Sequence, residues 1–210
     1  ASTQAPTAGN LQLYTILRIR DAEKKHRLSI SCDNQPFIER AKLILIFCAD
    51  ILKWYNAYDA AGCDPRKPGE GDLMISVCDA VIAAQNAVTA AQSFGIGSCY
   101  IGDIMENIEE QREILSLPPC VFPVAMVVFG YPTQQQLQRK KPKRVDMKYI
   151  VNEDSYHVLT DKELEDMLSI HTNRQDYTTW LKALCDRKYN SDFAREMTRS
   201  VRKYLEDYSS

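Results

Sequence analysis

The spacing of apolar and polar residues changes several times along the chain, and each change marks an element. Between residues 76 and 93, alanines recur at 80, 83, 84, 87, 90 and 91 in a long apolar segment, and alanine has the best helix propensity. This predicts a buried helix whose small side chains let other elements approach closely. Gly95 falls where a helix end needs a residue that reaches the left-handed conformation without a Cβ penalty. Two unbroken apolar runs, 43–49 and 122–130, predict strands buried on both faces. Residues 14–20 are rich in branched and aromatic side chains and predict a further strand, with a charged helix over 21–28 and a turn over 31–36. Trp54, Tyr55 and Tyr58 keep helical spacing, and the two prolines and two glycines of 64–72 predict a surface loop of the kind that lids a site.

Further along, Asn107 with Glu110 has the form of a capping box opening a helix to about 115, which Pro118 and Pro119 end. Residues 134–144 read as an exposed excursion, 148–151 as a last short strand, and Thr160 with Glu163 as another capped helix. From Trp180 onward the pattern is helical, with Phe193, Met197, Val201, Tyr204 and Tyr208 on one face. No internal repeat is present. Strands interleaved with helices argue one α+β or α/β domain over residues 1–210 around a single sheet, with a helical extension over about 160–210.

Composition narrows the setting. A chain of 210 residues buries a sizeable core unaided, and a net charge of −2 gives no global attraction to nucleic acid or an anionic membrane. Seven cysteines without a C-x-x-C pair, several inside apolar runs, predict reduced and mostly buried thiols in the cytoplasm. The longest uninterrupted apolar runs are too short to span a bilayer, so the expectation is a soluble protein with no membrane and no nucleic-acid partner.

Candidate chemistry is limited by what is missing. His26, His157 and His171 lie far apart, and no zinc, Walker or G-x-S-x-G pattern occurs, so no metal site and no protein nucleophile are expected. Gly95 and Gly97 follow a helix instead of a strand, and the next glycine is at 102, which rules out the dinucleotide fingerprint. These three glycines suit either a tight turn or a backbone that lies close to something flat. The run 139–144, RKKPKR, has five basic residues of six and suits a solvated surface, a nucleic-acid patch, a localisation tag or an anion clamp.

Taken in order, several segments resemble the FMN-dependent nitroreductase family, in its bacterial branch with an extended helical C-terminus. APTAGNLQ at 5–12 is similar to the family's A-P-S-S-x-N-x-Q, although Leu13-Tyr14 follows where relatives carry Pro-Trp. Asn34-Gln35 matches a polar position before the apolar strand. Gly95-Ile96-Gly97-Ser98 with Tyr100-Ile101-Gly102 resembles the G-[IL]-G-[ST] turn and its continuation, and 117–132 resembles the L-P-x-x-x-x-P-V strand ending in G-Y-P. The basic run stands where relatives have K-x-[KR]. Relatives also carry an upstream R-x-S-x-[RK] segment. This sequence opens in mid-motif at Ala1, so that segment is expected to lie upstream of the residues given.

The resemblance implies an α+β domain with a mostly antiparallel sheet surrounded by helices, working as a homodimer with FMN at the subunit interface. It implies FMN contacts from Pro6, Thr7, Ala8, Asn10, Asn34, Ile101, Gly102, Asp103, Lys141, Lys143 and Arg144. A backbone N–H at Gly102-Asp103 would meet flavin N5, and Lys141, Lys143 or Arg144 would meet the phosphate. Thr7 and Ala8 would reach the partner subunit's flavin. The implied reaction is ping-pong: NADH or NADPH gives hydride to the flavin, and a nitroaromatic, quinone or similar acceptor removes it, with the cofactor carrying the chemistry. The alternative is an interaction protein with little or no flavin, using its basic run and C-terminal helix on an acidic partner.

Overall fold

Strands β1 (Tyr14–Ile19), β2 (Leu43–Asp50), β3 (Gly97–Ile101) and β4 (Val121–Gly130) form one antiparallel sheet in the order β1-β2-β4-β3. The computed structural model describes residues 1–172 and 176–209, in two compact units, Ala1–Thr133 with Arg195–Ser210 and Gln134–Ala194. The sheet lies in the first unit, where helices pack on it, and this is the α+β architecture with an antiparallel sheet.

β4 is buried at every position from Val121 to Phe129, as an apolar run without alternation requires. Phe122, Val124, Val127 and Phe129 face one core, whereas Val121, Met126 and Val128 face the other. The inward set changes from even to odd numbers because the register shifts opposite Phe47 and Cys48, placing one extra residue in β4. Pro123 sits at this irregularity, beyond the stretch that β3 pairs, where a missing N–H is tolerated in a sheet.

In the first unit the helices are α1 (Ala22–Ser31), α2 (Pro36–Arg40), α3 (Leu52–Ala60), α4 (Glu70–Ser93) and α5 (Ile108–Leu115). α4 lays Ala80, Ala83 and Ala84 on one face of the sheet, while Leu28, Ile38 and Ile114 from α1, α2 and α5 join the core on the other. Gly95 ends the long helix as expected: its φ is +70°, and Gly95 N and Ile96 N donate to Gln92 O and Ala91 O, each at 3.0 Å. The helix starts six residues earlier than the alanine spacing predicts. Asp72, placed in the loop by sequence, is its N3 residue and accepts from Gly69 N at 2.8 Å.

Other expectations need correction. Asn107 is not a side-chain cap but a left-handed residue, φ +51°, whose Nδ2 donates to Ser31 O at 3.1 Å. The α5 N-terminus is capped from the C-terminal helix, where Glu196 Oε1 and Ser200 Oγ accept from Asn107 N and Ile108 N. Residues 148–151 hold no strand; Met147–Tyr149 is a single 3₁₀ turn. Only Cys32, Cys48 and Cys120 of the seven cysteines are buried. One helix among the described residues, Glu70–Ser93, is long and apolar enough to cross a membrane by length and composition, which the count of uninterrupted runs overlooked.

The second unit contains α6 (Gln134–Gln138), α7 (Asp161–Leu168) and α8 (Tyr177–Leu184). The Thr160–Glu163 capping box is present, with Thr160 N donating to Glu163 Oε2 at 2.8 Å. α9 (Asp192–Leu205) gives all but its first three residues to the first unit. There Tyr204 and Tyr208 are buried, with Tyr204 4.7 Å from the Phe122 ring and 5.0 Å beneath the Arg112 guanidinium. Arg112 pairs with Asp207, which also accepts from Cys120 N at 3.2 Å. Part of the apolar face of the last helix, Tyr204 and Tyr208, is therefore buried against its own chain, while Phe193 is 40% exposed.

Candidate functional site

Two of the sequence-assigned segments meet at one end of β3. The α1–α2 turn carries Asp33 and Asn34 with φ of +62° and +51°, a conformation that Asp and Asn tolerate better than most side chains. It is held by Gln35 N on Ser29 O at 2.8 Å, Gln35 Nε2 on Cys32 O at 2.8 Å, and Gln111 Nε2 on Ser31 Oγ at 3.1 Å. Facing it, β3 ends at the buried Ile101 and runs directly into the 3₁₀ turn Gly102–Met105. Carboxylate oxygens of Asp33, Asp103 and Glu106 all lie within 4.8 Å of one another. The structure thus brings Asp33, the neighbour of Asn34 in the turn, up to Asp103 directly after Ile101 and Gly102.

The backbone at this corner suits a flat ring. A Cβ added at Gly102 would meet nothing within 4 Å, and the N–H groups of Gly102 and Asp103 donate to nothing outside the sheet ladder among the described residues. Gly97 has a different purpose. Its Cβ position is 3.4 Å from Gly130 O, the residue it pairs with, so it serves the sheet and not the open corner.

Pro6, Thr7, Ala8 and Asn10 form a separate group, moored on α4 by Asp79. This buried carboxylate accepts from Thr7 Oγ1, from Ala8 N at 3.0 Å and from Leu13 N at 3.1 Å. Thr7 Oγ1 in turn accepts from Gln12 N at 2.8 Å, and Asn10 is exposed in a left-handed conformation, φ +60°. Pro6, Ala8 and Asn10 stay open to solvent, whereas the Thr7 hydroxyl is committed to the mooring. Lys141, Lys143 and Arg144 lie in the second unit, all exposed in an extended segment without regular structure.

Sequence reasoning missed Asp79, Asp33 and Glu106. The signal for Asp79 was its position as the one charged residue in the apolar stretch of the long helix. Glu106 is 4% exposed, and burial, reinforced by Asp103, Asp33 and Glu196, raises its carboxyl to about 7. Burial and the neighbouring Asp103 push the Cys32 thiol up to about 12, so it is an inert thiol. Across α5 and α9 the sense is opposite: hydrogen bonds from Arg199 hold Glu109 and Glu196 down at about 2. The loop before α4 borders an open pocket of about 220 Å³ lined by Tyr55, Tyr58, Pro65 and Pro68, with the Arg66–Asp72 pair at 2.6 Å on its wall.

Comparison with known proteins adds a lineage to this geometry. The model described as "Nitroreductase family" matches residues 1–131. The "FMN reductase (NADPH)" of Bacillus subtilis is 32% identical over 97% of this chain and 82% of its own length. Among solved structures, the NfrA1 nitroreductase of B. subtilis superposes with a TM-score of 0.76 at 26% identity, covering 95% of this chain and 85% of that one. The NADPH:FMN oxidoreductase of Vibrio harveyi, solved with NAD+, gives 0.77 at 25% identity over 97% and 84%.

Proposed function

The chain belongs to the nitroreductase family, and from that premise we propose that it is an NAD(P)H-dependent FMN oxidoreductase passing electrons to a nitroaromatic, quinone or similar small acceptor. When bound, FMN supplies a two-electron carrier between donor and acceptor in a ping-pong cycle. The observation that carries the reading is the open corner at Gly102, where an added Cβ would meet nothing within 4 Å and the backbone directly after β3 can lie against a flat ring. The names of the relatives, an NADPH-dependent FMN reductase and an NADPH:FMN oxidoreductase, support the same cofactor and donor.

In this reading Gly102 and Asp103 present backbone donors to the flavin edge, Asn34 offers its exposed side-chain amide beside them, and Ile101 closes the apolar floor. Pro6, Ala8 and Asn10 are presented at a second subunit's flavin by the Asp79 mooring, with Thr7 acting through its place in that mooring. Lys141, Lys143 and Arg144 grip the phosphate. The whole chain works as one nitroreductase-like domain with a helical extension over about 160–210. Two copies pair across the outer face of α4, where Met74, Ile75, Val81 and Ile82 are 41–61% exposed, too large an apolar stripe to leave open to water. Seven free cysteines, three of them exposed, support a reducing, cytoplasmic setting.

The test separates the phosphate from the ring. Replacing Lys141, Lys143 and Arg144 together with glutamine removes charge-assisted hydrogen bonds worth about 1.5–3 kcal/mol each, so FMN affinity falls at least about tenfold. Riboflavin, which has no phosphate, binds both proteins alike. Equal FMN affinity in the two proteins at fixed salt rejects the grip, and failure of both ligands to bind the wild-type protein rejects the flavin reading.

A further inference from the structure

Asp33, Asp103 and Glu106 come from the α1–α2 turn and the turn after β3, and their carboxylate oxygens converge to within 4.8 Å of one another. We propose that they form a binding site for a hard divalent cation of the Mg²⁺ or Mn²⁺ type. Opposite ligands of such an ion are roughly 4.2 Å apart and adjacent ones roughly 3 Å, so small side-chain movements bring three oxygens at the observed separations onto one ion.

A second observation sets this cluster apart from ordinary surface acids. Glu106 is 4% exposed, and among the described residues no side chain donates to its carboxylate, whose oxygens keep some contact with solvent. Of the other buried carboxylates of this unit, Asp79 has three donors, and Asp50 accepts from Thr15 Oγ1 at 2.5 Å and lies 3.8 Å from Lys53 Nζ through one oxygen, with its Oδ1 left without a partner. A buried carboxylate without a counter-charge is costly, and two more acids beside it raise that cost. On the packed elements Arg27 is engaged by Glu113, Arg199 by Glu109 and Glu196, Arg112 by Asp207, and Lys25 donates to Ala41 O. Glu196 adds further negative potential at Glu106.

The donor set chooses the class of ion. Three carboxylates without an imidazole favour hard, oxygen-seeking metals over zinc or copper. Cys32 lies close by, but its Sγ only accepts a weak contact from Gln111 Nε2 at 3.9 Å and stays protonated. Asp33 is exposed and Asp103 half-buried, so the cluster opens to solvent on that side, where water completes the coordination. Sequence could not show this site, because its ligands are split between two segments and fit no spaced motif. The inference stands on the carboxylates alone and does not depend on the flavin reading, although the site adjoins Gly102.

The test uses the full chain in metal-free buffer, titrated with Mn²⁺ and followed by electron paramagnetic resonance of the free ion and by calorimetry. A single Mn²⁺ per chain is expected, displaced competitively by Mg²⁺. Glu106→Gln and Asp33→Asn each weaken it at least about tenfold, whereas Glu109→Gln, an exposed carboxylate outside the cluster, leaves it unchanged. Circular dichroism and urea midpoints show whether the variants remain folded. Absence of Mn²⁺ binding up to millimolar concentration overturns the proposal, as does binding that survives both Glu106→Gln and Asp33→Asn in folded protein.

Discussion

Replacing Asp79 with alanine removes the acceptor that three groups in residues 7–13 share, namely the Thr7 hydroxyl, Ala8 N–H and Leu13 N–H. Each bond to a charged acceptor is worth about 1.5–3 kcal/mol, but adding three such values overstates the effect. The carboxylate's own desolvation cost disappears with it, and Ala8 is exposed enough for water to replace one bond. Leu13, 4% exposed, has no such recourse. The expected loss is therefore about 2–4 kcal/mol, a lowering of the unfolding temperature by roughly 4–16 °C at this chain length. Asp79→Asn costs about half as much, because one oxygen still accepts while the amide NH₂ is set against a donor. Urea unfolding at pH 7 gives the magnitude, and hydrogen exchange gives the location: the Leu13 amide loses protection while amides in β4 exchange through global unfolding only. If Asp79→Ala stays within about 0.5 kcal/mol of wild type and Leu13 keeps its protection, the mooring is not what holds the N-terminal segment.

Three other perturbations probe other links. Asp207→Ala leaves Arg112 without its counter-ion and Cys120 N without its acceptor, so urea unfolding should show a loss of about 3 kcal/mol; no loss would deny the C-terminal tail its structural role. Glu196 is held at about 2, chiefly by Arg199, against an ordinary 4.5, so its stabilisation is present above pH 4.5 and is lost as the pH falls toward 2. Arg199 is half exposed, so Glu196→Gln should cost only about 1–2 kcal/mol at pH 7 and nothing near pH 2, and a pH-independent difference between the two proteins would contradict this. If the proposed pairing across α4 holds, the wild type sediments as a dimer and Ile82→Glu with Met74→Glu as a monomer of unchanged subunit stability, whereas equal sedimentation coefficients would reject pairing across this face.

Much of the sheet was legible from the sequence because its central strands are unbroken apolar runs, and Gly95 was legible as a stop because the chain there needs positive φ. Helix starts were harder. The beginning of α4 is set by Gly69 and Asp72, which composition assigned to a loop, and the capping of α5 comes from residues some ninety positions away. The same limit applied to the candidate site. Ile101, Gly102 and Asn34 were found as separate motifs, but only the fold brings them to one corner and adds Asp33 and Glu106. Asp79 could have been suspected, since an acid in an alanine-rich buried helix must find donors, although its partners could not be named.

Flavin-mediated electron transfer by this chain is tested at its first step, the reductive half-reaction. The full chain, loaded with FMN and freed of excess by gel filtration, is mixed anaerobically with NADPH or NADH, and the visible flavin absorption is followed until a quinone or nitroaromatic is added. The band is expected to bleach without acceptor present and to return stoichiometrically when acceptor is added, and steady-state turnover is expected to give parallel lines in double-reciprocal plots. A protein that elutes colourless, or whose flavin band is unchanged by either nicotinamide, would contradict such transfer.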